Sequence, residues 1–280
     1  MRLTNLHTHT TYCDGSCSVE GMIQSAIKKN FKSIGVSSHG PVPFDTSWNI
    51  DRSRIEDYIE EVSAMKLKYK NEIDVFLGME FDYMPEIGFG HIPEELTEKL
   101  DYYIGSVHFL GTMKNGTMWT VDYSRDELIA GIDDSFDGNV RSAIERYYSL
   151  ISEMAEKYRP PVIGHIDLIK KTNGNNTIFD EYEDWYINAV EKCLDSIKKA
   201  GPAIEINTGA IARGYTKEQY PSTHILKAVM EKGIPITINS DAHTVEGIDC
   251  KLADMHALAK STGFKSVRCL GSGGWVDEEI

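Results

Sequence analysis

The chain has 280 residues, 41% hydrophobic and 26% charged, with 29 Lys and Arg against 43 Asp and Glu for a formal net charge of −14. That length suits one α/β domain spanning 1–280 with a substantial core, and no stretch approaches the roughly 18 apolar residues that span a bilayer. The acidic balance argues against nonspecific binding to nucleic acid or to a membrane surface, both of which take clustered Lys and Arg.

From Met1 and Arg2 the chain runs directly into a short apolar run, Leu3 to Leu6, without an apolar leader, so a cytoplasmic address is expected. Cys13, Cys17, Cys193, Cys250 and Cys269 are too few and too irregularly spaced for a disulfide framework, and reduced thiols are expected. The first run can start a strand, and two residues of spacing then aim His7 and His9 the same way. A helical stripe follows at Val19, Met22, Ile23, Ala26 and Ile27, with Ser18 as its N-cap, and a second at Ile55, Tyr58, Ile59, Val62 and Tyr69.

Further stripes start at Val140, Tyr186 and Ile248, and the apolar runs between stripes carry the strand signature: 33–36, 75–79, 102–107, 161–163, 203–206, 235–238 and 266–270. Strand and helix alternating about seven times predicts a distorted seven-stranded (β/α) barrel of TIM-like type, with its site at the strands' C-terminal ends. One region breaks the alternation. Residues 110–139, with Trp119 and an acidic run at 133–137, are too long for a plain connection and read as a lid or substrate loop.

Ligand-type side chains fall directly after those runs: His39, Glu80, His108, His165, Asp241 and His243 join His7 and His9. Imidazole and carboxylate suit zinc, iron and manganese, and their recurrence at successive strand ends fits a multi-metal hydrolase. Each histidine alone is as readily a hydrogen-bonded core residue as a ligand; the weight lies in the set. A carboxylate ending an apolar strand, as Glu80 does, costs several kcal/mol to bury without a cation beside it. His91, His224 and His256 sit in a loop, at a helix start and in a helical stripe, and receive no metal role. Cys13 lacks an evident base and reads as packing. Two or three divalent ions held mostly by neutral imidazole would make a cationic pocket inside an acidic protein.

Arg213, Lys170 and Lys171 follow the strand ends carrying Asn207 and His165, where they can reach a phosphate. Arg213 is the stronger of these, since its planar fork clamps a phosphoryl group, whereas the lysines read equally as a solvated turn. Ser106, Asn207 and Thr208 are hydrogen-bond donors near the site or simple caps.

Taken together, His7-Thr8-His9, Ser38-His39, Gly78-Met79-Glu80, Ile104 to His108, Ile163 to Leu168, Glu205 to Thr208 and Ser240 to His243 resemble the PHP (polymerase and histidinol phosphatase) superfamily, in its histidinol-phosphate phosphatase branch. The resemblance implies that His7, His9, Glu80 and Asp241 hold one metal, that Glu80 bridges to a second held by His108 and His165, and that His39 and His243 hold a third. It also implies hydrolysis of the monoester L-histidinol phosphate to L-histidinol and phosphate by in-line attack of a hydroxide bridging two ions. Arg213 would hold the phosphate, and Asp241 or His243 would pass a proton to the leaving alcohol. The substrate's amine and imidazole call for an acidic and aromatic wall, for which Trp119, Asp122 and Tyr123 are the candidates. The chain departs from the family pattern where a further histidine is normal: position 15 is glycine, and Asp14 is the substitute ligand expected. Two alternatives stay open, a generalist phosphoesterase or phosphodiesterase and a non-catalytic metal-binding module. Metal identity and oligomeric state are not legible in the residues.

Overall fold

The computed structural model describes residues 3–280; Met1 and Arg2, where the expected domain and the leaderless start begin, lie outside the described residues. A two-residue strand, β1 (Thr4–Asn5), leads into the first site segment. Helix α1 (Val19–Lys28) begins where Ser18 Oγ accepts the Gly21 N–H at 3.1 Å, the geometry of an N-cap. It buries Val19, Met22, Ile23 and Ala26, the stripe that its spacing predicts. Then come β2 (Ser33–Val36), α2 (Ile55–Lys68) and β3 (Asp74–Leu77), and β1, β2 and β3 pair in parallel as one sheet.

Gly78 and Met79 alone separate β3 from β4 (Glu80–Asp82), which begins the second sheet. After α3 (Glu94–Lys99) and β5 (Ile104–Ser106), the antiparallel pair β6 (Phe109–Thr112) and β7 (Met118–Thr120) leads to α4 (Arg125–Phe136). The stretch 110–139 is therefore not the loop its length suggested. Its apolar side chains sit at sheet and helix spacings, and Leu110, Trp119, Val121, Leu128 and Ile132 are all buried in the main core, which gives the segment folded structure of its own.

The chain continues through α5 (Val140–Tyr158), β8 (Val162–Ile163), α6 (Asp184–Ala200), β9 (Ala203–Asn207), α7 (Gly209–Ala212), α8 (Thr223–Glu231), β10 (Ile236–Asn239) and α9 (Leu252–Thr262). The second sheet is parallel throughout, in the order β10-β9-β8-β5-β4. All five residues of β9 are buried, its apolar Ala203, Ile204 and Ile206 in the strand and its polar Glu205 and Asn207 satisfied by hydrogen bonds within the site. Helices α5 and α6 pack together through their apolar faces, where the Tyr148 and Tyr186 hydroxyls meet at 2.7 Å.

The parallel ladders resolve into two sheets rather than one closed ring. Beyond the ladders, the His9 N–H donates to the Ala242 carbonyl at 2.8 Å, which ties the segment after β1 to the segment after β10. The run at 266–270 does form a strand, β11 (Ser266–Gly271), but it pairs antiparallel with β12 (Gly274–Glu279) instead of joining the parallel strands. The glycine-rich turn at 271–274 favours that hairpin. Because β1, β2, β4, β5, β8, β9 and β10 share one direction, their C-terminal ends open on one face. No described helix is long and apolar enough to cross a membrane, and the five cysteines are free.

Candidate metal centre

Five of the six strand-end histidines converge on Glu80. Its Oε2 lies 3.2 Å from His7 Nε2, 3.6 Å from His9 Nε2 and 3.0 Å from His39 Nδ1. Its Oε1 lies 3.0 Å from His165 Nε2 and 3.8 Å from His108 Nε2. Asp241 Oδ1 stands 3.2 Å from His9 Nε2 and 3.7 Å from His7 Nε2. Asp14 closes the other side, with Oδ2 at 3.2 Å from His243 Nε2 and Oδ1 at 3.8 Å from both His9 Nδ1 and His39 Nε2. His39 thus faces two ways, toward Glu80 through one ring nitrogen and toward Asp14 through the other.

The backbone explains two of these placements. A Cβ at Gly15 would sit 2.4 Å from the main chain of His9, so no side chain fits there and the neighbouring Asp14 supplies the polar group instead. Asp241 holds a positive φ of 50°, uncommon for a residue with a Cβ, and a Cβ on Gly209 would lie 2.5 Å from its Oδ2. The tight turn after β10 and the glycine after β9 together make room for this carboxylate.

Charge and burial are finely opposed here. Burial disfavours ionised Glu80, yet His7, His39 and His108 around it hold its carboxyl well below the usual range. Asp241 is likewise buried, but His7 and Arg213 keep it well below. Burial pushes His9 down to about 3, reinforced by the neighbouring His243 and His39. Burial opposes charge on His7 and His108 too, but Glu205, Glu80 and Asp241 hold His7 well above its ordinary value, and Asp82 with Glu80 raises His108 to about 10.

The donor set fits divalent ions. His7 Nε2, His9 Nε2, His39 Nδ1 and Glu80 Oε2 are buried, mutually close and without a hydrogen-bond partner, a state that buried polar atoms rarely keep. Three overlapping groups each bring ligand atoms within 4.8 Å of one another: His7, His9 and Asp241; His39, Glu80 and His108; and His9, Asp14, His39 and His243. His165 joins through its contact with Glu80.

Above the ligands lies a cleft of about 290 Å³, lined among others by Trp48, Asp122, Tyr123, Lys171, Arg213 and Tyr215. Arg213 reaches Asp241 Oδ2 at 3.3 Å and His243 Nε2 at 3.2 Å. Lys171 Nζ pairs with Asp122 Oδ2 at 2.9 Å and lies 4.8 Å from the centre of the Tyr215 ring.

Two expected substrate residues are elsewhere. Lys170 is buried under the site, where it bonds Ser222 Oγ at 2.6 Å and Asp167 Oδ2 at 3.0 Å, because a lysine on this short helical turn points inward to a buried carboxylate. Trp119 is 1% exposed, packs its ring against Gly131 of α4 and donates Nε1–H to Ser135 Oγ at 3.0 Å. Ser106 donates to Glu80 Oε1 at 2.6 Å, and Asn207 to Asp241 Oδ2 at 3.4 Å, whereas Thr208 caps toward the Cys250 carbonyl. Cys13 points its thiol at His9 Nδ1, 3.5 Å away, and burial raises that thiol to about 11.

Residue spacing alone gave no role to Asp82, Glu205, Trp48 or Tyr215. Asp82 Oδ1 meets His108 Nδ1 at 2.5 Å and Glu205 Oε1 meets His7 Nδ1 at 2.7 Å. A signal existed for Asp82, since period two from Glu80 puts both on one face of β4. Trp48 comes from a loop with no periodicity.

The PHP domain model matches residues 5–209. Over 274 residues the chain is 28% identical to a "Probable histidinol-phosphatase" of Deinococcus radiodurans, covering 95% of each chain. It is 29% identical to the histidinol-phosphatase of Bacillus subtilis, covering 85% of this chain and 92% of the relative. Among solved structures it superposes on the histidinol phosphate phosphatase of Lactococcus lactis, crystallised with zinc, L-histidinol and phosphate, with a TM-score of 0.74, 16% identity and 98% of each chain covered. That likeness is one of fold. With three quarters of its length matched by the family model, the chain belongs to the PHP domain family.

Proposed function

We propose that this protein is a metal-dependent phosphomonoesterase that hydrolyses L-histidinol phosphate to L-histidinol and phosphate, in the cytoplasm. The observation that carries the chemistry is the set of buried, unpartnered imidazole and carboxylate atoms around Glu80, directly beneath a cleft that also presents Arg213 and Lys171. The substrate is inferred from the relatives, two of which carry the name histidinol-phosphatase. We read the two parallel sheets, with β3 and β4 counted as one strand interrupted at Gly78 and Met79, as one distorted seven-stranded barrel joined through the segments after β1 and β10.

Divalent ions held here, with zinc, manganese and iron all suited to the ligands, supply Lewis acidity toward phosphoryl oxygens and an acidified water at neutral pH. His7, His9, Glu80 and Asp241 would hold one, Glu80, His108 and His165 a second, and Asp14, His39 and His243 a third. Arg213, already braced by Asp241 and His243, offers its remaining N–H donors to the phosphate. Asp241 or His243, both lining the cleft, would relay to the leaving oxygen a proton taken up from water. Asp122 faces the substrate's ammonium, and Trp48, Tyr123 and Tyr215 supply flat apolar surface for its imidazole. No substrate role remains for Trp119 or Lys170.

The test is phosphate release from L-histidinol phosphate beside sugar phosphates, mononucleotides, phosphotyrosine and a phosphodiester, with metal-stripped enzyme reconstituted with zinc, manganese or iron. A kcat/KM for histidinol phosphate at least a hundredfold above the panel is the expected result. A flat or diester-weighted profile replaces the named substrate with a generalist activity, and no turnover with any metal leaves a metal-binding module.

A further inference from the structure

Beneath the ligands, one carboxylate touches a ligand residue of each of two proposed metal positions. Glu205 is fully buried in β9, and four groups face its two oxygens. Oε1 meets His7 Nδ1 at 2.7 Å and accepts from Asn239 Nδ2 at 2.9 Å. Oε2 accepts from the main-chain N–H of His165 at 3.1 Å and from Asn207 Nδ2 at 2.8 Å. Neither amide can turn its oxygen inward without loss. Asn207 Oδ1 already accepts the Gly209 N–H at 2.8 Å, and Asn239 Oδ1 accepts the Leu6 N–H at 2.7 Å. Three of the four neighbours are thus fixed donors, and Glu205 has acceptors only to offer them.

From this geometry we infer that Glu205 is a positioning residue that couples the two metal positions. By accepting from His7 Nδ1 it fixes that ring in the tautomer whose Nε2 lone pair points at Glu80 and Asp241. By accepting from the His165 N–H it holds the main chain that aims His165 at the other oxygen of Glu80. Ligands from β1 and β8, 158 positions apart in sequence by subtraction of their numbers, therefore depend on one side chain of β9. The inference rests on the metal reading above but concerns a residue outside the ligand set.

Glutamine is the informative substitution because it keeps the volume and changes only donors and acceptors. Its single oxygen can satisfy one pair of donors; its NH₂ then confronts the other pair, either His7 with Asn239 or the His165 N–H with Asn207. Glu205→Gln is expected to weaken zinc binding about 10–100-fold, the range seen when such outer partners are removed, as measured by chelator competition. Tyr58→Phe is the control. It deletes a buried hydroxyl that bonds only the Val36 and Gly78 carbonyls, so it alters fold stability and leaves zinc affinity unchanged.

A second measurement needs no variant. In zinc-loaded wild type with ¹⁵N-labelled histidine, His7 is expected to carry its proton on Nδ1, and a proton on Nε2 overturns the inference even if the Gln variant fails to fold. Zinc affinity in Glu205→Gln equal to wild type overturns it as well, while leaving the proposed hydrolase standing. Wild type that takes up no divalent ion overturns both.

Discussion

Replacing Asp14 with Asn tests the substitute ligand expected where the family resemblance calls for a histidine. The carboxylate lies 3.2 Å from His243 and 3.8 Å from His9 and His39. Burial favours its neutral form, but His243, His39 and His9 drive it far below the usual carboxylate range, so it stays ionised at every working pH. Asn keeps the shape and one acceptor while removing the charge. Two unit charges about 4 Å apart attract by about 4 kcal/mol at an effective dielectric of about 20. The side chain is 32% exposed, and solvent screening that halves the attraction leaves about 2 kcal/mol, or about 30-fold in a dissociation constant. Asp14→Asn is therefore expected to weaken the loosest-bound metal equivalent about 30-fold by calorimetric titration. Replacing an anionic oxygen ligand by a neutral one should penalise manganese more than zinc. Unchanged affinity and stoichiometry for both metals would refute the assignment of Asp14 as a ligand.

Restoring the family's histidine should fail: Gly15→His places a Cβ where the His9 main chain stands 2.4 Å away, and a lowered Tm with no gain in metal affinity is expected. Trp119→Ala should cost about 3–5 kcal/mol in urea unfolding, as large aromatic truncations in cores do, while KM measured where the variant remains folded stays within about twofold of wild type. Lys170→Met leaves Asp167 buried without its cation and should cost about 3–5 kcal/mol, with a loss below about 1 kcal/mol counting against a structural role. In metal-stripped protein, His108 has its pKa raised to about 10, above its unfolded value of about 6.5. The folded state then holds that proton longer than the unfolded state, so this contribution is whole below about pH 6.5 and fades as pH rises toward 10. Urea midpoints of the stripped protein at pH 6.5 and 9 should show the decline, and a rise would contradict it.

The convergence of these side chains was legible because a parallel strand places whatever follows it on one face, and eight His, Asp or Glu side chains follow apolar runs in this chain. The family resemblance, not spacing, singled out Asp14. What lay beyond reach was side-chain direction away from the strands. Lys170 and Lys171 are neighbours in sequence, yet one is sealed against Asp167 and the other faces the cleft, a difference decided by a single helical turn. Trp119 looked like a substrate contact because its segment looked like a loop; its ring is what holds that segment against α4. Glu205 was invisible as a partner because the imidazole it holds follows β1, far away in sequence, and β11 was read as parallel because an apolar run carries no direction.

The same crowding that suits the cluster to divalent ions also makes its ion-free state costly. Six imidazoles and the carboxylates of Glu80, Asp241 and Asp14 are crowded together, and four of their buried ligand atoms have no partner. Leaving a buried polar atom unpaired costs about 1–3 kcal/mol, a large part of the total stability of an ordinary domain. A ligand that binds only the folded state repays such a deficit by mass action, about 2.7 kcal/mol at a hundred times its dissociation constant. The ions that would drive the chemistry therefore also bear on the fold, and the strongest pull falls at Glu80, where a single side chain meets five of the six imidazoles.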